Sequence, residues 1–78
     1  MKPKKNKFYS IACLGPYEYC KWGGVAKYTG YKETWDIDGE EKIVYEFKHK
    51  DFEEKIGEEI EDTAFFFEED IIAEVEKP

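Results

Sequence analysis

Apolar residues along this chain fall in short alternating runs separated by turn-forming residues, a pattern of strands rather than of long helices. From Phe8 the run KFYSIACL is aromatic and β-branched enough for a strand, and Gly15-Pro16 stops it. If Leu14 and Tyr19 close a short loop, Cys13 and Cys20 face each other on antiparallel strands, close enough for a bridge. Val25, Ala26, Lys27 and Tyr28 alternate between the bends expected at Gly23-Gly24 and at Gly30.

The strongest signal is YKETWDIDGEEKIVYEFKHK, a hairpin around Asp38-Gly39. Tyr31, Trp35 and Ile37 precede the turn at odd positions, and Ile43, Tyr45 and Phe47 follow it at odd positions. A two-residue loop would pair odd with even and put the two sets on opposite faces. The expectation is therefore a three-residue loop with Gly39 left-handed and all six on one face, Trp35 within the core.

Beyond it, Asp51 and Glu54 resemble a helix start, and Phe52, Ile56 and Ile60 recur at helical spacing, although Gly57 weakens a helix. The pattern predicts a short helix over about 51–62, a strand over 63–67, a turn at Glu68-Glu69-Asp70 and a strand over 71–75. One long helix over 51–75 would leave Phe65, Phe66 and Ile72 off its buried face and is not expected. The fold class is thus α+β and β-rich: a small curved antiparallel sheet, or an SH3-like five-stranded barrel, with one short helix.

Length narrows this to a single small globular domain over 8–78, preceded by a basic tail over 1–7 that is expected to be disordered. Aromatic residues make up 18% of the 78, which lets so short a chain close a core and argues against disorder despite 40% charged residues. With no run of about 18 apolar residues and no secretion signal, the expectation is a soluble, cytoplasmic protein without a membrane partner, either a monomer or a small homo-oligomer. In that setting Cys13 and Cys20 are expected to be reduced thiols that pack as small apolar side chains.

Charge changes the picture most. The net charge is −7, yet residues 1–7 are basic while residues 51–70 hold ten carboxylates against one lysine, around Gly57 and three consecutive phenylalanines. An acidic domain of pI about 4.7 is repelled by phosphates, so direct nucleic-acid binding is not expected. The absence of arginine removes the bidentate fork that phosphate sites use, and the glycines read as backbone geometry rather than as a phosphate loop.

Catalytic chemistry finds little to use. His49 is the only histidine and Ser10 the only serine, neither in a nucleophile motif, so no enzyme is expected. Cysteines at C-x6-C with one histidine lack the close spacing of a zinc site, and no metal or cofactor is expected.

What remains is an acidic surface that also displays aromatics, which attracts basic surfaces and speeds encounter with them. Basic surfaces commonly belong to nucleic-acid-binding proteins. The expected function is a non-enzymatic inhibitor or adaptor that engages such a partner, as small phage or mobile-element proteins of this size and charge do when they inhibit nucleases by nucleic-acid mimicry. The residues expected to carry the contact are Glu58, Glu59, Glu61, Asp62, Glu68, Glu69 and Asp70, with Phe66 and Trp22 as exposed anchors. The alternative is an SH3-like structural or peptide-binding module, or a subunit of a larger assembly, whose acidity serves solubility.

Overall fold

The computed structural model describes residues 1–13 and 21–76. The described residues form seven strands: β1 (Phe8–Cys13), β2 (Trp22–Ile37), β3 (Glu40–Lys48), β4 (Glu54–Ile56), β5 (Glu59–Glu61), β6 (Thr63–Phe67) and β7 (Ile71–Val75). Five of them make an antiparallel open sheet in the order β6-β3-β2-β1-β7, and β4 and β5 make a separate hairpin. The only helical pieces among the described residues are two 3₁₀ turns, Lys50–Phe52 and Glu68–Asp70. Strands β6 and β7 lie at opposite edges of the sheet, yet the three residues of the second turn join them. The sheet must therefore roll until its edges approach at that end, while β6 and β7 remain unpaired with each other.

Rolling gives one face a core. Tyr9, Ile11 and Cys13 from β1, Ala26 and Tyr28 from β2, Tyr45 and Phe47 from β3, Phe66 from β6 and Ile71 from β7 are all buried in one cluster. The register explains the membership, because residues opposite each other share a face: Tyr9 faces Ala26, Tyr28 faces Phe47, and Tyr45 faces Phe66. At the centre Phe47 is wholly buried, with ring centroids 6.0 Å from Tyr9, 5.5 Å from Tyr28 and 5.9 Å from Phe66. The end of the basic segment bonds to this sheet: Asn6 donates its amide to the Tyr28 carbonyl, and Tyr28 donates to that of Lys7.

The central hairpin differs from expectation in its turn. Ile37 pairs with Glu40, so the loop has two residues, Asp38 and Gly39, both with positive φ (53° and 81°), the pattern of a type I′ turn. That turn matches the twist of the strands and overrides the preference for one apolar face. The two odd sets consequently part. Tyr45 and Phe47 enter the core, whereas Trp35, 39% exposed, lies on the outer face beside Val44 and is not a core residue. Val44 is on that outer face as well, yet buried, beside Trp35 and the β6 phenylalanines. Gly39→Val is expected to cost about 1–2 kcal/mol in urea unfolding, since no atom lies within 4 Å of the added Cβ and the strain is purely that of the left-handed backbone.

No helix forms over 51–62. Residues 50–52 make a 3₁₀ turn, and β4 and β5 follow as a ribbon turning at Gly57 and Glu58, with Gly57 at φ +65°. Phe52, Ile56 and Ile60 do not share a buried stripe: Phe52 packs on the core edge, while Ile56 and Ile60 are exposed. A positive-φ glycine at the middle of the segment suits a hairpin turn and penalises a helix, and that preference wins where the helix would have no face to bury.

The cysteine reading changes as well. Cys13 faces Trp22 across the β1–β2 ladder. Buried Cys13 is disulfide-bonded rather than a reduced thiol, and Cys20 lies outside the described residues.

Candidate binding site

A cleft of about 520 Å³ opens beside β6. Ala64, Phe65, Phe66 and Phe67 all line it. Successive side chains of a strand point to opposite faces, so four consecutive residues can border one cleft only if it runs along the strand's free edge. Among the described residues β6 bonds to β3 alone, and none of them pairs with that edge.

Two aromatic walls flank the edge. On the core side Trp22 packs against Phe52, His49 and Phe66 at centroid distances of 4.7, 4.9 and 5.9 Å, and its Nε1 donates to Asp51 Oδ2 at 3.1 Å. His49 is committed to the turn beneath, its Nδ1 accepting the Asp51 amide at 2.9 Å. The indole also lies directly over Gly24, where a Cβ would come within 2.9 Å of the ring, so the glycine is what lets the wall fold back. Trp22 is thus half-buried in the wall, not a free-standing anchor.

On the outer side Trp35 and Tyr31 bracket Phe65, with centroid distances of 5.4 and 6.1 Å. Between them sits the Glu33 carboxylate, which accepts from Trp35 Nε1 and from the Tyr31 hydroxyl at 2.7 Å each. These two donors hold the Glu33 carboxyl below the usual range, the indole contributing most, while the same contact pushes the Tyr31 phenol up. The result is an ionised carboxylate fixed between two aromatic donors that also pack on Phe65, suited to a cation.

The backbone of the edge can be read from its neighbours. His49 donates its amide to the Asp62 carbonyl at 3.0 Å, which makes His49 and Asp62 a hydrogen-bonded pair of the ladder. By alternation Ala64 and Phe66 direct their amides and carbonyls to β3, and Thr63, Phe65 and Phe67 direct theirs outward. Phe67 agrees with this, since its amide turns to Asp70 Oδ2 at 3.1 Å.

The acids expected to act together are dispersed. Glu58, Glu59 and Glu61 are exposed on the β4–β5 ribbon, and half-buried Asp62 lies 3.6 Å from Lys48. Glu68 pairs with the amino terminus at 3.5 Å and Glu69 with Lys42 at 3.4 Å. Phe66 and Asp70 are buried at 3% and 6% exposure, Phe66 as part of the core-side wall of the cleft and Asp70 beneath the turn, so neither is a free-standing contact. Reading by charge run missed Tyr31, Glu33 and Phe65; the spacing of Tyr31, Glu33 and Trp35 along one strand face was the available signal.

Among the described residues no three His, Cys, Asp or Glu side chains group to hold a metal, and no helix is long and apolar enough to cross a membrane. No family model matches the chain, and no curated protein or solved structure matches it either.

Proposed function

We propose that this protein is a non-enzymatic binding module that engages a basic protein partner through the cleft beside β6 and the acidic surface around it. The observation that carries the reading is the cleft itself: a concave, aromatic-walled groove along an open strand edge, in a chain whose 51–70 segment holds ten carboxylates. Apolar walls would supply affinity, and the exposed acids of the ribbon would steer a basic partner into place. The strand order, with a 3₁₀ turn joining the two edges, supports an SH3-like barrel left open at one seam as the finer description of the fold.

An inhibitor that competes with nucleic acid for its partner is the form of this function that the exposed carboxylates favour. The test is a competition in which a basic nucleic-acid-binding protein captured by this chain is titrated with its own labelled nucleic acid, with and without the chain. Competition should weaken as salt shortens the screening length from about 10 Å at 0.1 M to about 3 Å at 1 M. Neutralising Glu58, Glu59, Glu61 and Asp62 together should slow association, with stability changing by only about 0.5 kcal/mol at each exposed site. Binding that leaves nucleic-acid affinity untouched would remove mimicry and leave the peptide-binding module.

A further inference from the structure

We propose that the outer edge of β6 takes up an extended basic peptide segment as an added strand, with one lysine or arginine side chain seated among Tyr31, Trp35, Phe65 and the Glu33 carboxylate. This rests on the reading of a basic protein partner and names how that partner is held.

Open strand edges are ordinarily blunted by charged residues, proline or bulges, because they template pairing with other chains. Here the edge strand is Thr63-Ala64-Phe65-Phe66-Phe67, uncharged and regularly paired with β3, in a chain with 40% charged residues. Its outward amides and carbonyls at Thr63 and Phe65 can bond an incoming backbone, the mode by which a peptide adds to a sheet. A residue set opposite Phe65 would share the outer face with it, since paired residues point the same way. Its side chain would then lie over Phe65, and a lysine or arginine is long enough to extend across that ring toward Trp35, Tyr31 and the Glu33 carboxylate, which pack on the ring's far side and favour a cation. The residues on either side of it would point to the opposite wall, toward Trp22, Phe52 and Phe66, which favours apolar side chains. The occupant defined by this geometry is an apolar–basic–apolar strand.

A second copy of the chain fits poorly. Antiparallel pairing of two β6 strands centred on Phe65 would set Asp62 against Glu68 and Glu61 against Glu69 at both ends, and like charges directly opposite destabilise a ladder. A lysine-bearing strand reverses the sign of those contacts.

The probe is the capped peptide Lys-Val-Lys-Val-Lys, titrated into the protein while amide signals are followed by NMR. Saturable binding is expected, with slowed hydrogen exchange at the Phe65 amide. Methylating the backbone nitrogen of the central lysine leaves every charge in place but removes the donor to Phe65, and should weaken binding at least about tenfold. Acetylating the side chain of that lysine, or Glu33→Gln in the protein, should also weaken it. If the N-methyl peptide binds equally well and Phe65 exchange is unchanged, strand addition is wrong even though salt-sensitive binding of the peptide would leave the basic-partner reading standing. No saturable binding at millimolar peptide would likewise overturn the inference, and the nucleic-acid competition then tests the broader reading on its own.

Discussion

Phe47→Ala is expected to abolish the fold or to cost it about 3–5 kcal/mol, the range for deleting a buried aromatic ring. Phe47 has no exposed surface and meets Tyr9, Tyr28 and Phe66. Those residues belong to β1, β2 and β6, so the cavity would open between three neighbours of the rolled sheet at once. Small domains hold only about 5–15 kcal/mol in total, which leaves little margin. Trp35→Ala is the control, because that side chain is 39% exposed and lies on the outer face, where it packs against Phe65. Chemical denaturation of the two variants should rank them in that order. If Trp35→Ala unfolds the protein and Phe47→Ala does not, the faces have been assigned the wrong way round.

Asp70 is expected to set a pH dependence of stability that Asp70→Asn removes. Its carboxylate is buried and accepts the Phe67 amide at 3.1 Å, closing the turn that carries the chain from one sheet edge to the other. Burial raises its pKa above the ordinary aspartate value of 3.8, with Glu69 adding to the rise, while the Phe67 amide and Lys42 act against it. A raised folded-state pKa means that the folded state binds the proton more tightly than the unfolded chain does. Ionisation of Asp70 therefore opposes folding: the penalty is fully present above the folded pKa and is relieved as pH falls through it toward 3.8. Asparagine keeps an oxygen for the Phe67 amide without the charge, so the advantage of Asp70→Asn over wild type should grow as pH rises through that window and then level off. Asp70→Ala should instead lose about 1–3 kcal/mol, because it leaves the Phe67 amide without its acceptor. Unfolding free energies measured between pH 4 and 7 distinguish the cases, and a difference between Asp70→Asn and wild type that ignores pH would show that burial does not govern this carboxyl.

The acidic 51–70 segment shows why charge runs are poor guides to a surface. The ten carboxylates of 51–70 are dispersed: Glu53 and the ribbon acids are exposed, Asp51 accepts from Trp22, Asp62, Glu68 and Glu69 are ion-paired, and Asp70 is buried, because strands and turns send neighbouring residues in different directions. Glu33, far outside the run, is the carboxylate held most specifically by aromatic donors.

Local chemistry sufficed for the elements it controls. The strand that begins at Phe8, the strand Thr63–Phe67, the turn Glu68–Asp70 and the strand Ile71–Val75 all follow from β-branched and aromatic runs cut by turn residues. Two local signals were ambiguous. Phe52, Ile56 and Ile60 at spacing four satisfy a helix, yet four is also even, so Ile56 and Ile60 read equally well as strand positions; Gly57 at φ +65° decides for the ribbon. Asp38-Gly39 favours a two-residue turn by its own backbone preference, while the odd-numbered apolar residues favour a longer one. That second argument assumed one buried face. The rolled sheet has apolar contacts on both: Phe47 in the core, and Val44 beside Trp35 and the β6 phenylalanines outside. Which side of a strand is buried depends on what lies across from it, and β6 comes to β3 only after the chain has turned through the ribbon. The cleft, the open edge and the carboxylate between two rings that pack on Phe65 are products of that late pairing. Sequence alone determined the acidity and the strands outside 54–61, and tertiary structure decided the ribbon and which faces the strands share, because register and neighbour are long-range properties that no local window contains.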